Sequence, residues 1–99
     1  MPIIATLRVP AEHHNERAPT AARLAVAAQV LRNAGIDVLS TGHYSVIISA
    51  TAVAFANVLG LQPPEEDQGM AQNFTPREPA LHGLVDRIEI ASPAQYLDV

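Results

Sequence analysis

The chain has 99 residues, of which 48% are hydrophobic but only 4% aromatic, and it carries a net charge of −4 with all six basic residues arginine. One aliphatic, alanine-rich core fits that length, and two do not. The acidic balance argues against a general nucleic-acid binder. The lack of cysteine excludes disulfides and thiolate metal sites.

The first predicted strand runs from Ile3 to Val9. Ile3, Ala5, Leu7 and Val9 share one face; Ile4, Thr6 and Arg8 share the other. Pro10 ends it. The polar segment that follows holds His13, His14 and Asn15, and either Asn15 or Thr20 caps the next helix. That helix is expected over Thr20 to Ala34, with Leu24, Ala28 and Leu31 as the stripe facing the sheet and Gly35 as its stop.

Ile36 to Ser40 and Ser45 to Ala50 read as a pair of strands joined by a Gly42-containing hairpin. Val46, Ile48 and Ala50 point inward, and Ile47 and Ser49 outward. Asp37 and Leu39 lie opposite the inward Ile36 and Val38. Thr51 caps a short helix through Leu59, closed by Gly60. Residues 61–84 read as one long, proline-rich loop carrying Glu65-Glu66-Asp67, and such a length points to function or mobility. Val85 to Ile90 is the last strand, and residues 91–99 read as an extended tail. The order is strand, helix, strand, strand, helix, strand within one domain over 1–99. It predicts an α+β, ferredoxin-like split βαββαβ fold with a four-stranded antiparallel sheet and two helices on one face.

That plan leaves one sheet face without helices. The face shows Ile4, Leu39 and Ile47 among Thr6, Arg8, Ser49, Arg87 and Glu89, an apolar centre with a polar rim, as on a docking surface. A solvated sheet with a few exposed aliphatics is the simpler alternative.

Catalytic and metal motifs are wanting. Adjacent His13 and His14, with Glu12 and Glu16, lack zinc-ligand spacing. A hairpin histidine beside Tyr44, His43, is a thin basis for acid–base chemistry, and His82 stands alone in the long segment. The glycines punctuate rather than form a phosphate loop, and the central strands lack the aromatic pair that stacks RNA bases. The expectation is therefore a non-catalytic protein with no cofactor and no metal site.

Three stretches carry a family likeness: Leu31-Arg32-Asn33-Ala34-Gly35-Ile36-Asp37-Val38-Leu39-Ser40, Tyr44-Ser45-Val46-Ile47-Ile48-Ser49-Ala50 and Ala54-Phe55-Ala56-Asn57-Val58-Leu59-Gly60. Together they resemble the propeptides of subtilisin-like and sedolisin-like serine proteases, over about residues 24 to 60. The resemblance implies an inhibitor and folding chaperone whose open sheet face packs on the protease while its C-terminal tail lies in the substrate cleft. By position, Ile4, Leu39 and Ile47 would be docking residues. Tyr96, Leu97, Asp98 and Val99 would enter the cleft, held by main-chain hydrogen bonds and alternate side-chain pockets. With no protease domain after Val99, the implied role is that of a stand-alone companion or a detached propeptide.

The expected partner is a protein, with a homo-oligomer as the open alternative. Neither nucleic acid nor membrane is expected, since no stretch approaches the ~20 apolar residues of a membrane span. The N-terminus, Met1-Pro2-Ile3-Ile4-Ala5, reads as a strand rather than a signal peptide, which gives a soluble, cytoplasmic expectation. Two other classes stay open. One is a small dimeric ferredoxin-like α/β-barrel enzyme, monooxygenase-like, with His43, Tyr44 or His82 in a pocket. The other is a structural subunit of a larger assembly.

Overall fold

A computed structural model of the chain describes residues 2–11, 17–64 and 68–91. The fold is α+β. Five strands form one antiparallel sheet: β1 (Ile3–Arg8), β2 (Asp37–Thr41), β3 (Ser45–Ala50), β4 (Met70–Asn73) and β5 (Arg87–Ile90). Their order across the sheet is β2-β3-β1-β5-β4.

The middle strand, β1, alternates as its sequence dictates. Ala5, Leu7 and Val9 are buried, whereas Ile4 and Arg8 are exposed. Its partners repeat the pattern. Leu7 stands opposite Val46 of β3 and Ile88 of β5, all three fully buried. A one-residue slip would put this whole set in water, so the register is fixed by burial.

The helix α1 (Ala21–Asn33) covers that face. Thr20 caps it, its hydroxyl oxygen accepting from the Arg23 amide at 3.1 Å. Leu24, Ala27, Ala28 and Leu31 are buried at helical spacing. The second helix starts as one α-turn, α2 (Ala52–Ala54), capped by Thr51, and widens into a π-helical stretch over Phe55–Leu59. Phe55, Val58 and Leu59 enter the core from it. Gly60 stops it in the left-handed region at φ 73°, a conformation that favours glycine.

Two expectations need correction. The sheet has five strands rather than four, and residues 61–84 do not form one long loop. Met70–Asn73 pairs with β5 as an edge strand, and Pro79–Leu81 makes a 3-10 turn. Pro76 and Leu81 are fully buried, and the Glu78 amide donates to the Val58 carbonyl at 2.9 Å. The segment therefore caps the core beyond the second helix. Its strand is short, Met-Ala-Gln-Asn, with neither alternation nor β-branched residues, so pairing with β5 makes it a strand, not propensity. The last strand is also shorter than expected, starting at Arg87, although Val85 is buried just before it.

Gly60 and Gly35 give a paired test of these contacts. A Cβ built on Gly60 would meet the Arg77 Cβ at 3.1 Å, whereas one on Gly35, at φ 91°, meets nothing within 4 Å. Both Gly→Ala changes carry left-handed strain of roughly 1–2 kcal/mol. Gly60→Ala is expected to cost more, as read by urea denaturation of the two variants. Leu81→Ala is expected to lose about 2–5 kcal/mol if the segment after β4 is core. A loss within about 0.5 kcal/mol, the usual size for a surface change, would make it a loop.

Candidate functional site: the helix-free sheet face

Strand pairing arranges the helix-free face in rows. Asp37, Ser49 and Ile4 form one row across β2, β3 and β1. Ser40, Ile47, Thr6, Glu89 and Ala71 form the next, across all five strands. Ser45, Arg8, Arg87 and Asn73 form the third. Ile4 and Ile47 are therefore diagonal neighbours on adjacent strands, within reach of long side chains.

Leu39 joins them through an irregularity. The pairing of β2 with β3 shifts between Val38 and Ser40, which leaves Leu39 as the extra residue of a bulge beside Ile47. Bulges of this kind twist an edge strand and blunt its capacity to pair with another chain. Leu39 is 55% exposed, Ile4 47% exposed and Ile47 half-buried. The three form a diagonal apolar stripe over β1, β3 and β2. The remaining positions expected in a partner's cleft, Tyr96, Leu97, Asp98 and Val99, lie outside the described residues, as do Glu12, His13, His14 and Glu16.

The charged end of the face has its own logic. Arg8 and Arg87 stand directly opposite each other on β1 and β5, a destabilising cross-strand pair if left alone. Each is tied off. The Arg8 guanidinium donates to both carboxylate oxygens of Asp86, at 2.9 and 2.8 Å. That hydrogen bonding, followed by the charge of Asp86, raises the Arg8 pKa above its ordinary value. Arg87 donates to Asn73 at 3.1 Å and to Glu89 at 3.3 Å. The backbone reinforces the corner, since the Asp86 amide donates to the Arg8 carbonyl at 3.2 Å. A face bearing two arginines thus has little free positive charge, and its distinguishing feature is the apolar stripe.

His43 and Tyr44 sit in the β2–β3 connection, their rings edge to face with centroids 6.5 Å apart. Val9 donates its amide to the Tyr44 carbonyl at 2.8 Å, which pins the hairpin to the end of β1. His82 is not with them. Its Nε2 lies 2.8 Å from the Pro76 carbonyl, and it does not line the groove that His43 and Tyr44 border. The sequence reading missed two features. The Arg8–Asp86 pair spans 78 residues, with no local signal for it. The other is a groove between α1 and the β2–β3 connection, which exists only once those two elements pack together.

In comparisons with known proteins, no family model, no curated protein and no solved structure matches this chain.

The arginine corner yields a salt-dependent prediction. Asp86→Asn removes the group that offsets the Arg8–Arg87 pair, so it is expected to cost up to about 1 kcal/mol at low salt, the scale of exposed ion pairs. The deficit should shrink at about 1 M salt, where charges are screened within a few ångströms. Urea denaturation at the two ionic strengths checks this.

Proposed function

We propose that this domain is a non-catalytic interaction module of the ferredoxin-like plan that docks a protein partner on its helix-free sheet face. The β2-β3-β1-β5 order, with α1 between β1 and β2 and the second helix between β3 and β5, supports the fold assignment, β4 being an added edge strand. The observation that carries the functional reading is the diagonal stripe of Ile4, Ile47 and Leu39, apolar and accessible, beside a charged corner whose arginines are already paired. Such a face loses water-exposed apolar surface on docking without stranding an unpaired cation in the interface.

The proposed partner is a subtilisin-like or sedolisin-like serine protease. The reading is supported by the propeptide-like pattern over about residues 24 to 60 and by the open face that the family uses for docking. In this mode the sheet face packs on the enzyme, and Tyr96 to Val99 enter its cleft as an extended segment, Val99 leading. The two contacts share one linker, so each raises the effective concentration of the other. The domain then inhibits by occupying the cleft, and it assists folding by stabilising the native protease surface that it binds.

The test is inhibition of one purified protease of each type by the full chain and by variants. Deleting Tyr96 to Val99, or changing both Leu39 and Ile47 to Glu, should weaken inhibition at least tenfold, about 1.4 kcal/mol. Thermal unfolding of the domain should change little, because Leu39 is exposed and Ile47 only half-buried. The proposal fails if neither protease is inhibited, or if inhibition survives both changes.

A further inference from the structure

A second surface lies away from the docking face. A groove of about 600 Å³ runs between α1 and the β2–β3 connection, a volume within the range of small-molecule sites. Ala21, Ala25, Ala28 and Arg32 recur on its helical wall at spacings of three and four, so they share one flank. Three alanines in that stripe keep the trough open. Buried Leu24 and Ala28 contribute apolar surface to it, and the opposite wall is Thr41 to Tyr44.

The chemistry of the lining is one-sided. Among the described residues its charged or titratable side chains are Arg32, His43 and Tyr44, none of them a carboxylate, in a chain whose net charge is −4. Three of the five other described arginines are occupied. Arg8 holds Asp86, Arg87 holds Asn73 and Glu89, and Arg23 donates to the Pro10 carbonyl at 2.8 Å and to the Gly83 carbonyl. The Arg32 guanidinium has no hydrogen-bond or ion-pair partner among the described residues. Gln29 donates to Asn33 at 3.0 Å, and its carbonyl oxygen at the rim has no partner among the described residues. In the last turn of α1, Arg32 also complements the helix dipole. That role needs neither the open trough nor the aromatic wall.

From this juxtaposition we infer that the groove is a binding site for small aromatic carboxylates. The flat ring lies in the alanine trough against Leu24, with its face or edge toward Tyr44 and His43. The carboxylate meets the Arg32 guanidinium, whose planar fork matches two carboxylate oxygens. The hollow on the sheet face lined by Thr6, Arg8, Ser45, Arg87 and Glu89 offers no such opportunity, since its arginines are already satisfied. The site is independent of the proposed protein docking, because it lies on the flank of α1 rather than on the helix-free face. Either reading can fail without the other.

Amide NMR titration of the full chain with benzoate tests it, with benzyl alcohol and inorganic phosphate as comparison probes. The expected result is saturable benzoate shifts confined to residues 21–32 and 41–44, at least tenfold weaker for benzyl alcohol and for phosphate. Arg32→Gln should lose at least tenfold in affinity, and so should Ala25→Leu, which fills the trough. Both positions are exposed on the helix, so both variants are expected to fold, as their remaining spectrum will report. The inference is overturned if benzoate shifts nothing, if the shifts map elsewhere, or if benzyl alcohol or phosphate binds as well as benzoate. Benzoate binding unchanged by Arg32→Gln would also overturn it.

Discussion

The two-sided pairing of β1 is the constraint on which the rest of the molecule depends. β3 lies on one side of it and β5 on the other, both antiparallel, so the alternation within six residues is imposed on the neighbouring strands. Once Ala5, Leu7 and Val9 are committed to the interior, Val46, Ile48 and Ile88 must follow, and α1 and the second helix can pack only on that face. Ile4, Thr6 and Arg8 are then obliged to stand on the other face, whatever their chemistry. The exposed apolar stripe follows from where β1 sits and from the residues at its outward positions.

The same pairing explains the corner at the far end of the face. β1 and β5 place Arg8 opposite Arg87, an arrangement tolerable only because Asp86, Glu89 and Asn73 stand within reach. Asp86 immediately precedes β5, and its amide also bonds the Arg8 carbonyl, so side chain and backbone fix the same junction. Charge there is used internally, while accessible apolar surface collects around Ile4, Ile47 and Leu39. On the flank of α1 the distribution is the reverse, with the Arg32 guanidinium unpaired among the described residues beside an open apolar trough. The molecule therefore presents two faces of different character, one a broad apolar surface and the other an apolar trough with a cation at its side.

Much of the architecture was legible wherever burial and local pattern agree. Alternation in Ile3 to Val9 and in Ser45 to Ala50, the caps Thr20 and Thr51, and the glycine stops at Gly35 and Gly60 all act over a few residues. Elements made by tertiary contact were not legible. Met70 to Asn73 has no strand-like composition and is ordered by its bonds to β5, while Pro76 and Leu81 look like loop residues until the assembled core buries them. The bulge at Leu39 is another such case. Adjacent Val38 and Leu39 break the alternation of that strand, but the shift in register shows only against Ile47 and Ile48. Of the candidate site, the outward positions were readable from period 2. The pairing of Arg8 with Asp86 was not, because nothing local announces a contact between the two ends of the chain.

Methyl NMR on the domain, labelled at its isoleucines and leucines and mixed with a subtilisin-like protease whose catalytic serine is changed to alanine, addresses the docking face most directly. The account predicts that the methyls of Ile4, Ile47 and Leu39 shift or broaden, while those of buried Ile36, Ile48 and Ile88 keep their positions. Unchanged spectra, or changes that spare Ile4, Ile47 and Leu39 and fall elsewhere, would contradict it.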